Sequence, residues 1–315
     1  MGEWSKKIGE QGENIVEYFF ENIIGYKNIY RSGLSIKCSY NDEHKRERAK
    51  GDRNTHGVDG LVSYNCPLVD ELLEIGIVSS KFTNDKYPNN PKVTFKEYFI
   101  ELAYTIRCFK NSEVYKEINS SATNVSDTTT TGLLFWLSNN DESIGQDLIT
   151  EISNTTIRES GLIYDKIIVV DNARMEFLCN LIVNVKNVFG EQNVDFIYPK
   201  TGMNNISSQK KSFGKRMPLQ FISSNIIPIR IVKGSDVYLL IGSRDNFNEE
   251  DLRMIIGLSK EFNHLEATTK TIITFPDYNK MKHTDTVKKV LGQSASENYI
   301  SQISVSKDDF DFRNL

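Results

Sequence analysis

Two short apolar runs carry the residues with the clearest chemical potential. Asp59 lies near the start of the run at residues 58–64, and Lys81 near the end of the run at residues 72–82. Both runs are rich in β-branched residues and are separated by turn-forming residues, which predicts an antiparallel hairpin that brings the acid close to the lysine. A carboxylate can hold a divalent cation against a phosphate while a lysine orients the attacking water. The pair therefore indicates metal-dependent phosphodiester hydrolysis.

A glycine-rich segment near the N-terminus adds a second motif. Residues 9–16 read Gly-Glu-Gln-Gly-Glu-Asn-Ile-Val, a GxxGE pattern at the start of a helix. With Asp59 and Lys81, this pattern resembles the PD-(D/E)xK nuclease superfamily, which has the restriction-endonuclease-like fold, over roughly the first third of the chain. The resemblance implies that Asp59 and Lys81 are catalytic, that Glu13 joins Asp59 in the metal site, and that the cofactor is Mg²⁺, for which Mn²⁺ can substitute.

One position departs from the pattern of that superfamily. Ser79 stands two residues before the lysine, where the family has Asp or Glu, and a hydroxyl is a poor Mg²⁺ ligand. Either the site is damaged or another residue supplies the acid, as in restriction enzymes with an SxK motif that draw a glutamate from the next helix. Glu97, ahead of Glu101, is the expected metal ligand. Thr94 and Glu97 also form a capping-box pattern, which explains this glutamate without an active site.

Each candidate also has a plain structural explanation. Asp59 lies between two glycines and could be a turn residue, Lys81 could be an ordinary lysine at a strand end, and His56 is expected at the surface. Glu13 could face solvent, but helical spacing places it in line with Val16, at the end of an apolar stripe that should face inward. The functional interpretation depends on the three motif residues occurring in order.

Two basic clusters stand out from a net charge of −4. Because nucleic-acid binding depends on local clusters of positive charge, both are predicted to contact DNA phosphates, although solvated loops would give the same composition. The predicted DNA-binding residues are Lys45, Arg46, Arg48, Lys50 and Arg53 in the first cluster, and Lys210, Lys211, Lys215 and Arg216 in the second.

Composition excludes several other classes of protein. No apolar run is long enough to cross a bilayer, and the N-terminus lacks the apolar stretch of a signal peptide, so a cytoplasmic location is expected. The four cysteines have no CxxC spacing, which indicates reduced thiols rather than a zinc site or a disulfide framework. No phosphate-binding GxxxxGK[ST] motif occurs, so any ATPase would be a partner.

Hydrophobic periodicity predicts an α/β fold. Residues 1–200 are expected to form the nuclease domain, with an αβββαβ core and a mixed sheet flanked by helices. The predicted elements of this core are a helix at 9–24, strands at 29–38, 58–64 and 72–82, a helix at 95–110 and a strand at 133–137. A polar surface loop is expected at 120–131, a helix at 144–152, and further α/β elements of the same sheet up to residue 198. Residues 201–315 are expected to form a smaller C-terminal α/β unit that binds DNA or a partner.

The predicted function is that of a Mg²⁺-dependent DNA endonuclease. The resemblance further suggests the nuclease subunit of a bacterial antiphage defence system, with a sensor or ATPase as companion subunit. A homodimer is a further possibility, and no membrane partner is expected. Two alternatives remain open, namely a degenerate nuclease fold that binds DNA or a partner without cleaving it, and a nuclease directed at RNA or tRNA.

Overall fold

The computed structural model describes residues 2–44, 53–159, 161–204, 212–266, 268–294, 299 and 301–307. The chain divides into two compact units, Met1–Glu176 and Phe177–Leu315, and each unit contains one sheet. Among the described residues, no helix combines the length and the apolar character needed to cross a membrane.

The first unit follows the predicted order of elements. In chain order they are α1 (Gly2–Tyr18), β1 (Arg31–Lys37), β2 (Thr55–Asn65), β3 (Leu72–Thr83), α2 (Pro91–Phe109), α3 (Glu113–Ser121), β4 (Asp127–Ser138), α4 (Leu148–Ile152) and β5 (Lys166–Val170). A π turn, Phe19–Ile23, continues α1. Apart from the additional helix α3, the first seven elements have the αβββαβ order, so the predicted restriction-endonuclease-like core is confirmed.

The sheet of the first unit is mixed and is covered on both faces. Its strand order is β1-β2-β3-β4-β5, antiparallel from β1 to β3 and parallel from β3 to β5. Phe19 and Phe20, which follow α1, contact Phe135 of β4. Leu134 and Trp136 belong instead to the core that includes α2. Because successive strand residues point to opposite faces, α1 and α2 cover opposite sides of the sheet.

The polar tract at residues 120–131 is not the surface loop expected from sequence. Strand β4 begins within it, at Asp127, and pairs in parallel with β3 from Leu72 onward. Thr130 and Thr131 are buried, and the Thr131 hydroxyl donates to the buried Glu74 carboxylate at 2.8 Å. β-branched threonines fit a strand, and here the partner strand satisfies the polar group that made the tract look like a loop.

The helix predicted at residues 144–152 is shorter than expected. Only Leu148–Ile152 is α-helical, and a 3₁₀ turn, Asp141–Ser143, precedes it. Gly145 between them has a φ of +68°, which a regular helix does not contain. Asp147 then starts the helix, because its carboxylate accepts a hydrogen bond from the Thr150 amide.

The second unit is built on a six-stranded sheet. The remaining elements are α5 (Asn172–Phe189), β6 (Val194–Ile197), β7 (Phe213–Gly214), β8 (Ile226–Lys233), β9 (Asp236–Ser243), α6 (Glu249–Glu266), β10 (Lys270–Phe275), α7 (Lys280–Ser294) and β11 (Ile303–Lys307). The strand order is β11-β10-β9-β8-β6-β7. The predicted β8–β9 hairpin is present, and Asn248 caps α6 by accepting from the Asp251 amide, as expected.

Strand β6 belongs to this second sheet, whereas the sequence suggested that it extended the first. Phe196 of β6 pairs antiparallel with Ile229 of β8. The compact units divide between Glu176 and Phe177, and the domain boundary expected at residue 200 stays a prediction. The sequence of an apolar strand does not show which sheet it joins, because its periodicity indicates that the strand is buried and does not identify the neighbouring strand.

Candidate active site

The β2–β3 hairpin joins Asp59 to the end of β3. Gly60 pairs with Val78 and Asn65 with Leu73, and the same register, continued by one residue, sets Asp59 opposite Ser79. The Asp59 Oδ2 accepts a hydrogen bond from the backbone amide of Ser80 at 2.7 Å. The carboxylate is thus held beside the residue that precedes Lys81, as the hairpin prediction required.

Helix α1 can pack closely against the end of β3 because residue 12 is a glycine. A Cβ atom at Gly12 would overlap the Cβ of Phe82 and would lie 3.1 Å from the Ser80 Oγ. A residue with a side chain at position 12 would therefore push the helix away from β3. The next residue, Glu13, lies partly buried, and Val16 of the same helical line is fully buried.

Negative charge accumulates around Asp59 and Glu13. Burial raises the pKa of Glu13, and the charges of Asp59 and Glu10 raise it further. Burial also raises the pKa of Asp59, against the opposing effects of the Ser80 amide and of Lys81. The charge of Asp59 thus disfavours ionisation of Glu13. Their oxygen atoms are the ligands preferred by Mg²⁺ and Mn²⁺, so the residues present fit a divalent cation, which would relieve this repulsion.

Lys81 is held in position by a glutamate of α2. The Lys81 Nζ lies 3.1 Å from the Glu101 Oε2, and the Arg53 Nη2 lies 3.2 Å from the Glu101 Oε1. The Lys81 ammonium also lies 5.3 Å from the centre of the Tyr98 ring. Because two cations share the Glu101 carboxylate, this residue is better suited to positioning Lys81 than to supplying an uncompensated charge to a metal.

The structure favours Glu101 over Glu97 at this site. Glu97 is exposed, and the ion pair to Lys81 comes from Glu101, one turn further along α2. The capping-box explanation for Glu97 is wrong, because α2 begins at Pro91, a turn before Thr94. Ser79 is partly exposed on β3, opposite Asp59. Glu101 and not Glu97 therefore contacts Lys81, and the expectation that Glu97 is a metal ligand stays a prediction.

Most of the predicted DNA-binding residues lie outside the described residues, namely Lys45, Arg46, Arg48, Lys50, Lys210 and Lys211. Arg53 is described, and it makes the ion pair with Glu101 and donates to the Thr55 carbonyl. Lys215 donates to the backbone carbonyls of Glu191, Gln192 and Val194, and it also pairs with Asp195 at 3.0 Å. The Arg216 carbonyl accepts from the Tyr198 hydroxyl. These three residues thus have structural contacts of their own.

The expected surface position of His56 is wrong, because this residue is fully buried. The cysteines are reduced thiols, as expected. The sulfur atoms of Cys38 and Cys108 nevertheless lie 3.9 Å apart, within a cluster that includes His44 and His56. No short motif could reveal this cluster, because its members come from separate elements.

The mixed sheet and the αβββαβ order of elements are those of the restriction-endonuclease-like fold, which PD-(D/E)XK nucleases share. Residues 1–174 match the family model described as the GAPS4 protein PD-(D/E)XK nuclease domain, so the chain belongs to this antiphage defence nuclease family. Nucleases of the class generally use divalent metals. No curated protein and no solved structure matched the chain.

Proposed function

We propose that the chain is a Mg²⁺-dependent endonuclease that hydrolyses phosphodiester bonds in DNA, as the nuclease subunit of a bacterial antiphage defence system. The observation that carries the proposal is the constellation of Asp59, Glu13 and Lys81 at one end of the β2–β3 hairpin. The carboxylates favour a divalent cation, and Lys81 is fixed beside them by Glu101. Mn²⁺ should substitute for Mg²⁺, because both prefer oxygen ligands.

Asp59 and Glu13 would hold the cation in this proposal. When bound, the cation would supply positive charge at the reacting phosphate and would make the attacking water more acidic. The Lys81 ammonium donates hydrogen bonds that orient the attacking water and offset negative charge on the phosphate oxygens. Glu101 restricts Lys81 to that position. The reaction adds water across one P–O bond and leaves a phosphomonoester and a free sugar hydroxyl.

A second candidate follows from Ser79. Because a hydroxyl replaces the carboxylate that the class carries at this position, a domain that binds DNA or a partner without cleaving it is the alternative. A companion sensor or ATPase subunit is part of the leading proposal, and a homodimer is compatible with it.

The test measures cleavage and metal binding in parallel. Metal binding can then still be measured if cleavage requires a partner subunit that is absent. The purified chain is incubated with supercoiled plasmid, linear duplex and RNA, with Mg²⁺, with Mn²⁺ or with a chelator. Mn²⁺ binding is measured in parallel by electron paramagnetic resonance. We expect metal-dependent nicking of DNA, complete loss of cleavage in Asp59→Asn and Lys81→Ala, and loss of Mn²⁺ binding only in Asp59→Asn. Glu117→Gln and Lys116→Ala, which change exposed charges of α3, are the matched controls.

Each other outcome has a distinct meaning. Mn²⁺ binding at Asp59 without cleavage of any substrate would favour the binding module. Cleavage of RNA in preference to DNA would redirect the proposal to an RNA nuclease. Cleavage that survives in Asp59→Asn or Lys81→Ala would overturn the assignment of the site.

A further inference from the structure

Four buried side chains of the first unit, none of them among the acidic-site residues, converge on one point. Cys38 follows β1, His44 lies in the turn after it, His56 belongs to β2 and Cys108 lies in the last turn of α2. All four residues are at most 1 % exposed. One potential ligand atom from each lies within 4.8 Å of those of the other three. Sulfur and imidazole nitrogen are the donors that zinc prefers.

Four of the six separations between the donor atoms match the edges of a tetrahedral site, and the two from the His56 Nε2 to the sulfur atoms are at most 4.8 Å. The Sγ atoms of Cys38 and Cys108 are 3.9 Å apart. The His44 Nδ1 lies 3.3 Å from the His56 Nε2, 3.6 Å from the Cys38 Sγ and 3.4 Å from the Cys108 Sγ. With Zn–S and Zn–N bonds of about 2.3 and 2.05 Å, a regular tetrahedron has edges of roughly 3.8 Å (S–S), 3.3 Å (N–N) and 3.6 Å (S–N).

The space between the four donors is closer in size to a metal ion than to a water molecule. A regular tetrahedron with the four known edges has its centre roughly 2.2 Å from each corner, which is a zinc–ligand distance. A hydrogen-bonded water needs about 2.8 Å. Two thiolates would balance the charge of Zn²⁺ while both imidazoles stay neutral, so the buried group would carry no net charge.

Neighbouring groups favour the required forms of the ligands. The Thr105 hydroxyl donates to the Glu101 carbonyl at 2.9 Å, so its oxygen is left to accept from the His56 Nδ1, which lies 3.3 Å away. A proton on Nδ1 leaves the lone pair of the His56 Nε2 directed toward the cluster, as a metal ligand requires. The Ser39 amide donates to the Cys108 Sγ at 3.4 Å, a contact that stabilises a thiolate.

We propose that Cys38, His44, His56 and Cys108 bind a structural Zn²⁺ ion. Four protein ligands leave no open position for substrate, so the ion stabilises the fold and takes no part in hydrolysis. It would tie the connection between β1 and β2 to the C-terminal turn of α2. The basic segment at residues 45–52 lies in sequence between two of the ligands, so the ion would anchor both ends of that segment. The inference does not depend on the proposed nuclease activity.

The first test uses the unmodified chain. After purification without chelators or a histidine tag, we expect about one equivalent of zinc per chain by elemental mass spectrometry. Replacement by Co²⁺ should give the intense visible bands of a tetrahedral ion, together with thiolate-to-cobalt charge transfer. Alkylation followed by peptide mass spectrometry should label Cys38 and Cys108 far more in the presence of a strong chelator than in its absence.

Variants then assign the ligands. Cys38→Ser and Cys108→Ser should lose bound zinc and the charge-transfer band, whereas Cys66→Ser and Cys179→Ser should retain both. Cys66 is the matched control, because it is also buried but lies outside the cluster. A wild-type chain that lacks zinc and gives only octahedral Co²⁺ spectra would overturn the proposal. So would labelling of Cys38 and Cys108 that does not change with chelator, a result that holds even if the variants fail to fold.

Discussion

At the scale of single residues, the carboxylate of Glu101 holds the lysine of the candidate active site in place. It accepts from Lys81 through one oxygen and from Arg53 through the other, and the Arg53 side chain is only 8 % exposed. A neutral amide in its place would keep the shape but lose the charge that holds both cations. The contribution of this residue should therefore be separable from that of the metal ligands.

We expect Glu101→Gln to lower the cleavage rate by about 10- to 100-fold, because an unrestrained Lys81 populates the productive position less often. The free energy of unfolding should fall by about 1–2 kcal/mol, since Arg53 loses a charged partner in a poorly solvated place. Cleavage rates and chemical denaturation measure the two effects. Mn²⁺ binding should be nearly unchanged, and its loss would instead make Glu101 a metal ligand.

Glu97→Gln is the matched control for this prediction. It removes the same charge from an exposed position one turn earlier on α2. We expect a change in rate of less than about 2-fold, which corresponds to less than about 0.4 kcal/mol. A loss as large as that in Glu101→Gln would restore Glu97 to first place among the α2 acids.

Sequence patterns predict which candidate side chains meet when both belong to one hairpin. They do not predict contacts between side chains from distant segments of the chain. Asp59 and Lys81 could be paired because one hairpin carries both, and a hairpin follows from periodicity and turn residues. The capping-box explanation of Glu97 depended on where α2 starts, and helix boundaries are poorly determined by pattern. The Cys38–Cys108 contact joins residues 70 positions apart, which spacing alone does not reveal.

At the scale of elements, the contact between α1 and β3 is the most sensitive to a small change. The helix approaches the strand through Gly12, whereas Gly9, also in α1, has no atom within 4 Å of an added Cβ. Position 12 therefore has no room for a side chain, whereas position 9 has room for one, although both glycines belong to the GxxGE motif.

We expect Gly12→Ala to destabilise the fold by about 1–3 kcal/mol, because the added methyl group overlaps Phe82. Cleavage should fall as well, since any displacement of α1 moves Glu13 away from Asp59. Gly9→Ala should stabilise the protein by about 0.5–1 kcal/mol, through the better helix propensity of alanine. Thermal unfolding and cleavage assays of the pair provide the comparison, and equal effects of the two substitutions would contradict the close approach.

Element order was the most predictable part of the fold. The αβββαβ succession and the β8–β9 hairpin follow from alternation, apolar runs and turn residues. The polarity of the threonines in β4 predicts a loop, whereas their β-branched shape favours a strand, which is the structure they adopt. Only the structure reveals that Glu74 on the adjacent strand accepts a hydrogen bond from one of them. The sheet that takes β6 could not be predicted either, because pairing partners depend on tertiary contacts.

At the scale of the whole molecule, charge distribution matters more than the net charge of −4. The two basic segments interrupt an acidic chain, and the first precedes Asp59 closely in sequence. Phosphate contacts made by such segments release counterions, so they can be counted from the dependence of affinity on salt.

We expect the triple reversal of Lys45, Arg46 and Arg48 to glutamate to weaken DNA binding. The slope of log affinity against log salt should become shallower by about 0.9 for each phosphate that the variant no longer neutralises. Binding isotherms at several salt concentrations provide the measurement. The control reverses Lys280, Lys282 and Lys288, three exposed lysines of α7, which changes the net charge equally. Equal slopes in the two variants would indicate a general charge effect and would leave the segment at 200–216 as the remaining candidate.

The β2–β3 hairpin also has a consequence for the order in which the protein folds. Its strands are joined by a short connection, whereas β3 reaches its parallel partner β4 only after α2 and α3 have formed a long crossover. Closing a short loop costs less chain entropy, so the hairpin should form before the β3–β4 ladder. Pulse-labelled hydrogen exchange during refolding should protect the amides of β2 before those of β4 and β5, and in the second unit those of β8 before those of β10. The acid and the lysine would then meet early, while the glutamate that positions the lysine arrives with the crossover, so a partly folded chain would hold the pair in register before it could act on a substrate.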